Sequence, residues 1–296
     1  MPHLHHADLG SSQSVSFSLI LVFAALVYLR GWLSVRSSRV GPSSVWRPVS
    51  FLIGLLLIWA AVASPIAGLD HELLTVHMLQ HLLLMTLVFS LIWLSAPIDP
   101  LLQGLPGRFV KSLLHPLWQS PAWNSFRRAL GNPKFAWLAA CAALVGWHIP
   151  TFFALGMQSA PWHLFEHLSF LATGLLFWWP VVQPSGSSGQ DLSMILYLFF
   201  ATLPCDILSG FLVFSDRVVY PMYFSSLHLL GFSPLVDQQC AAALMWTCVT
   251  VVFLAAGAIL TMRLLSPQGV PQVGVVQSKS SGVGIPRSVS QSLEVL

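Results

Sequence analysis

Residues 73–96 read LLTVHMLQHLLLMTLVFSLIWLSA, 24 residues without one Asp, Glu, Lys or Arg. As helix this stretch spans about 36 Å, more than the roughly 30 Å of a bilayer's hydrocarbon core. Its polar side chains are not scattered. His77 and His81 stand four apart near the start of the run, with Gln80 between them. Working outward, six further apolar runs of crossing length appear at about 15–33, 49–67, 135–157, 162–182, 192–214 and 239–262.

The composition demands the same solvent. The 296 residues carry 13 Lys+Arg and 10 Asp+Glu, 55% are hydrophobic, and mean hydropathy is +0.75. Soluble domains are close to a quarter charged, so this chain has too few polar groups to coat a water-facing surface. The predicted fold is therefore all-α, a polytopic membrane bundle of about seven transmembrane helices. A net charge of +3 gives no sign of a nucleic-acid partner. Cys141, Cys205, Cys240 and Cys248 are dispersed through apolar runs and form no disulfide framework.

Twelve of the thirteen Lys/Arg fall in the connections 30–47 and 97–134 and in the tail after residue 260, leaving Arg217 alone on the opposite side. The positive-inside rule then sets the N-terminus outside and the C-terminus in the cytoplasm, as an odd number of spans requires. Residues 1–14 are expected to form an outer His-containing tail, 15–265 the membrane domain, and 266–296 a disordered cytoplasmic tail of Ser, Gly, Val, Pro and Gln. Segments 101–118 and 123–130, inside the connection 97–134, mix Leu, Phe and Trp with Arg108, Lys111, Arg127 and Arg128. They read as interfacial helices held by membrane lipids. The first run lacks a positive leader segment and is expected to be retained.

The eleven histidines are the anomaly. With this orientation, only His115 is cytoplasmic and the other ten lie outside or in the outer half of the membrane. His77 and His81 sit about 7 and 13 Å past Glu72 on one helix face, a two-nitrogen ligand set. His163 and His167 repeat the spacing at the start of the fifth run, and His148 reaches similar depth where the fourth run exits through Trp147-His148-Ile149-Pro150. A histidine in a membrane helix is ordinarily a hydrogen-bonded packing contact. Two matched pairs at one depth favour ligation by His77, His81, His163 and His167, with His148 and Met78 joining them.

Glu166 is expected to orient an imidazole, while Asp206, Asp237, Gln80, Cys240, Met245 and His71 are placed around the layer or at a partner contact. Imidazole with sulfur donors nearby suits copper, as Cu(I). Haem between histidines of separate helices is the alternative cofactor, and a copper or proton-coupled permease is the alternative activity. His3, His5 and His6 amount at most to weak metal capture, because Pro2 lacks the N–H that an amino-terminal chelate uses. Nothing in the chain reads as an activated nucleophile, a phosphate loop or a nucleotide site, so the protein is expected not to be an enzyme.

The string Val76-His77-Met78-Leu79-Gln80-His81-Leu82-Leu83-Leu84-Met85 closely resembles the signature of the CtaG family, bacterial membrane factors for cytochrome c oxidase assembly. Further resemblances follow in family order at Trp147-His148-Ile149-Pro150, at His163-Leu164-Phe165-Glu166-His167-Leu168-Ser169-Phe170 with Phe177-Trp178-Trp179-Pro180, and at Ser233-Pro234-Leu235-Val236-Asp237-Gln238-Gln239 with Met245-Trp246. The likeness covers roughly residues 49–262. Where the family has a small residue after Asp-Gln-Gln, this chain has Cys240-Ala241-Ala242, and Thr247-Cys248 replaces a Pro-Gly type break after Met-Trp. These departures put in question the bend of the seventh helix and an added ligand at Cys240. The resemblance implies copper delivery to the haem–copper centre of the oxidase catalytic subunit, in a bacterial plasma membrane. It also implies a periplasmic copper donor as a partner, and it is compatible with a homo-oligomer.

Overall fold

The computed structural model describes residues 4–38, 45–182, 188–225 and 231–265, and among these all regular structure is helical. Helix α1 (Leu4–Ser38) is followed by α2 (Trp46–Val62), a 3₁₀ turn (Ala67–Leu69) and α3 (Leu74–Leu82). A π-helical turn (Leu83–Leu87) joins α3 to α4 (Val88–Leu94), so the quoted run crosses as one rod with a single wide turn. Then come α5 (Ile98–Gly104), α6 (Gly107–Phe109), a second π-turn (Val110–Leu114), α7 (His115–Gln119) and α8 (Pro121–Leu130). The remaining helices are α9 (Pro133–His148), α10 (Pro150–Gln158), α11 (Ala160–Val182), α12 (Ser188–Val213) and α13 (Pro234–Leu265). A short 3₁₀ turn (Pro221–Ser225) lies between the last two.

Six helical stretches are long and apolar enough to cross a membrane: Ser14–Ser34, Trp46–Leu69, Leu74–Leu94, Ala160–Val182, Leu192–Val213 and Pro234–Leu265. The seventh expected crossing, 135–157, is not one straight helix. It is α9 and α10, bent by 78°. Pro150 explains the break: it has no N–H to continue the ladder, and it pushes Ile149 out of helical geometry to φ −66°, ψ 126°. With 16 residues, α9 is about 24 Å long, and the chain turns sharply where a straight span would continue.

Two other departures have simple causes. Helix α1 starts at Leu4, eleven residues before the expected crossing, because nothing between Pro2 and the apolar run breaks it. Helix α13 starts at Pro234, whose fixed φ suits a first helical position, so Asp237 and Gln238 lie inside its first turns. It then runs to Leu265 without a break after Met245-Trp246. The expected tail 266–296 and His3 lie outside the described residues.

Without a hydrophobic force between helices in lipid, packing depends on close approach. Gly174 of α11 brings that helix against the π-turn: a Cβ there would lie 3.0 Å from the Leu84 carbonyl oxygen. Four residues on, Trp178 donates its Nε1–H to the Met85 carbonyl at 2.8 Å, so the π-turn is held from the neighbouring helix. Below it, Trp178, Phe177, Val88, Leu198 and Leu260 are buried together.

The interfacial segment is anchored by the same device. A Cβ on Gly104 of α5 would sit 1.9 Å from the Val27 carbonyl oxygen of α1, and one on Gly31 would sit 1.7 Å from the Pro100 carbonyl oxygen. Backbone cannot yield at such distances, so Gly104→Ala is expected to lift α5 off α1. The expected loss is about 1–3 kcal/mol, the usual range for overpacking. Limited proteolysis in detergent should then cut the connection 97–134 faster than in wild type; an unchanged cleavage rate would contradict the close packing.

Candidate metal centre

The start of α3, the end of α9 and the start of α11 meet at the end of the bundle opposite the Lys/Arg-rich connections. Helix α3 has no side-chain cap of its own at Leu73. Asp237 of α13 supplies one: its carboxylate accepts from the Leu74 N–H at 2.7 Å, the Thr75 N–H at 3.2 Å and the Thr75 hydroxyl at 2.6 Å. An anion at a helix N-terminus satisfies orphan donors and complements the dipole. Asp237 thus positions the helix that carries His77 and His81. The loop before it is held by Gln80 Nε2, which donates to the Ala67 carbonyl at 2.9 Å, and by the Tyr223 hydroxyl, which donates to the Asp70 carbonyl at 2.8 Å.

Glu166, three residues after His163 on α11, is 1% exposed. Its Oε1 lies 3.4 Å from His81 Nε2 and 3.6 Å from His77 Nε2. The two rings are edge to face with centroids 4.2 Å apart. Neither contact is a hydrogen bond: both nitrogens of His77, both of His81 and both oxygens of Glu166 are buried without a hydrogen-bond partner among the described residues. So many orphaned polar atoms in one place are costly to bury and call for a ligand. Donors about 2.0–2.1 Å from a tetrahedral metal ion stand about 3.4 Å apart, which matches these separations. His77, His81 and Glu166 therefore fit a metal ion as they stand, all three donors lying within 4.8 Å of one another.

A second group shares His77. Asp70, His77 and His163 also offer donors within 4.8 Å, with His163 Nε2 3.4 Å from Asp70 Oδ2. Burial raises the Asp70 carboxyl pKa, while His163 and His71 oppose the shift. His71 stands at the rim, its side chain 55% exposed and 3.8 Å from Asp70 Oδ1. The donors thus run from an accessible imidazole inward to a fully buried carboxylate.

The bend at Pro150 closes the site. It carries α10 back so that Phe153 lies edge-on to the His77 ring at 4.9 Å, and Gly156 abuts Glu166. A Cβ at Gly156 would be 2.7 Å from Glu166 Oε2. The Tyr220 hydroxyl donates to the His148 carbonyl at 3.0 Å, and Gln238 ties the connection before it to α13 by accepting from the Val219 N–H at 2.7 Å.

Two of the expected ligands occupy different positions. His148 and His167 each direct Nδ1 at the carbonyl four residues back, Leu144 at 2.6 Å and His163 at 3.0 Å. His167 Nε2 then faces the Gln80 side-chain amide at 3.3 Å, and His148 Nε2 faces Met78 Sδ at 3.3 Å. Met78 therefore pairs with His148. The reason is angular: adjacent helix residues point about 100° apart, so Met78 cannot share the face of His77. Met245 and Cys205 line a cavity beside Met78. Cys240 is exposed, and Asp206 has a buried Oδ1 without a hydrogen-bond partner among the described residues and stands outside both donor groups. Sequence reasoning left Phe153 and Gly156 out of the site, and took Asp70, with His71 and Asp237, as either a contact for an incoming copper donor or a closure of the outer surface.

This fold and this cluster define an all-α, multi-pass membrane protein with a buried His–carboxylate centre at one end of its bundle. A family profile describing the cytochrome c oxidase caa3 assembly factor (Caa3_CtaG) matches residues 26–266, and the chain belongs to that family. Its role is therefore that of a cytochrome c oxidase assembly factor, which points to a non-catalytic protein. No curated protein and no solved structure matches the chain.

Proposed function

We propose that the protein takes up copper as cargo at the outer end of its bundle and delivers it to the haem–copper centre of the oxidase catalytic subunit. The observation that carries this reading is the set of orphaned, buried donors on His77, His81 and Glu166. Imidazole binds copper well, and the Glu166 carboxylate offsets the charge of a cation inside a low-dielectric bundle. Asp70, His71 and His163 form the approach from a periplasmic copper donor, and the protein works in the bacterial plasma membrane with its N-terminus outside.

A carrier must hold its ion and still release it. A site of imidazoles and one carboxylate leaves a ligand replaceable, unlike a closed cage of four thiolates. No bond of a substrate is made or broken in this scheme; the protein is a carrier, not an enzyme. Haem is disfavoured by geometry, because His77 and His81 project from one helix onto a single carboxylate oxygen, whereas axial ligands approach a haem from opposite faces.

The test is bound copper and the visible spectrum of protein purified anaerobically in detergent. Wild type is expected to retain at least one copper per chain, with no band near roughly 400–430 nm. Glu166→Gln keeps the shape but removes the charge, and should weaken binding by about 10–100-fold. Absence of copper from wild type, or a haem band, would overturn the reading.

A further inference from the structure

A cavity of about 50 Å³ lies beside the His–Glu cluster, lined by Met78, His81, Met85, His148, Cys205 and Met245 among others. That volume exceeds the roughly 10–15 Å³ needed for one water molecule and accommodates a metal ion. The lining follows α3 and the π-turn after it from Met78 to Thr86, and α9 from His148 back to Ala140, so the cavity runs about 12 Å along the helices from the histidine layer toward mid-bundle. Its donors differ in kind from those of the cluster above: thioethers and the two thiols of Cys141 and Cys205 with imidazole, and no carboxylate.

The contact at its upper end is chemically incomplete. The Leu144 carbonyl can only accept, so the 2.6 Å contact makes His148 Nδ1 the donor. In the neutral ring Nε2 is then an unprotonated acceptor, and it faces Met78 Sδ, another acceptor, at 3.3 Å. Two lone pairs confront each other with no hydrogen between them. A cation between them resolves the conflict. Nitrogen at about 2.0 Å and sulfur at about 2.3 Å from a tetrahedral metal ion stand about 3.5 Å apart, close to the separation here. Met78 is 1% and His148 5% exposed, so the contact is withdrawn from bulk solvent.

We propose that this cavity is a second metal site, specific for a soft monovalent ion such as Cu(I), held by Met78 Sδ and His148 Nε2 with Met245 and Cys205 as the further sulfur donors. It rests on the copper reading above for the identity of the cargo and on the Met78–His148 contact for its position. Soft donors select Cu(I), while carboxylate and imidazole suit harder ions as well, so the two sites sort the cargo by chemistry. Methionine side chains are flexible enough to close on an ion and open again. His81 belongs to the His–Glu cluster and also lines the cavity, which makes it the shared wall through which an ion moves from one to the other.

The test uses the full chain in detergent, anaerobic, titrated with Cu(I) and separately with Ag(I), a soft ion that does not change oxidation state. Bound metal is counted and X-ray absorption reports the ligand atoms. Wild type should bind two Cu(I) per chain with both sulfur and nitrogen/oxygen scattering. Met78→Leu, which nearly conserves volume, should bind one ion fewer and lose most of the sulfur scattering; Met245→Leu should weaken the same ion by about tenfold without loss of fold. An unchanged metal count and sulfur signal in Met78→Leu, or a wild type with nitrogen and oxygen scattering alone, would overturn the proposal. The His77→Ala/Glu166→Gln variant separates the two readings. If it still binds one Cu(I) with sulfur scattering the cavity site stands by itself, whereas if wild type binds copper through nitrogen and oxygen alone the cavity site fails and the copper reading survives.

Discussion

Alanine at both His77 and His81 is expected to weaken copper binding at the His–Glu cluster by at least about 100-fold, equivalent to roughly 2.7 kcal/mol. In cells that carry only this variant, the oxidase should assemble without its copper. The size follows from the geometry. These two rings supply two of the three donors of the cluster, their Nε2 atoms 3.6 and 3.4 Å from Glu166 Oε1, and among the described residues no other imidazole nitrogen belongs to that group. The remaining carboxylate alone cannot hold a d-block ion against water. The folding consequence is smaller, because the lost ring contacts with Phe153 and Phe170 are offset by removal of four buried nitrogens that have no hydrogen-bond partner among the described residues. Alanine also favours helix. The double variant should therefore remain inserted and monodisperse, and a companion His77→Gln/His81→Gln variant keeps polarity while lacking imidazole. Copper per chain and oxidase turnover in whole cells are the readouts. A fully copper-loaded oxidase in the double variant would sink the assignment.

What could be read from sequence was depth; what could not was angle. The i,i+4 spacing put His77 and His81 on one face, and the apolar runs gave the level at which His148, His163 and His167 meet them. Met78 and His148 lie at that same level, and pooling by level assigned them to one ligand set. Across a bundle, the azimuth of each helix decides which cavity a side chain enters, and no periodicity within a single helix reports that rotation. Asp70 and Gly156 show the same limit from another side. Asp70 reaches His163 because a 3₁₀ turn, tied down by Gln80 and Tyr223, aims it inward, and each tie comes from a different element. Gly156 matters because α10 folds back after Pro150; the proline was visible, but the direction of the 78° bend was not. The family resemblance carried the assembly role, which the residues alone had left open among carrier, haem protein and permease.

Asp237→Ala is expected to lower stability by about 3 kcal/mol and, with it, the affinity of a metal site that Asp237 does not touch. Its carboxylate takes three hydrogen bonds from Leu74 and Thr75 across an interval of more than 160 residues, joining α13 to the first turn of α3. Loss of a helix cap costs about 0.5–2 kcal/mol, and each buried donor left unpaired about 1–3 kcal/mol. Asp237 is 5% exposed, so little water can enter to replace it. For a chain of this size the shift in unfolding midpoint in detergent should be about 5–10 °C. Asp237→Asn, which keeps acceptor oxygen but loses one of the two, should fall between wild type and alanine. Because His77 lies three residues beyond Leu74, fraying of that turn loosens the ligand nearest the helix start first. Copper binding should weaken in step with the midpoint and recover when the helix is restored by Asn. An unchanged midpoint with lost copper would mean that Asp237 acts on the ion directly; a lowered midpoint with unchanged copper would mean that the centre tolerates motion at the start of α3, and the cap would then serve stability alone.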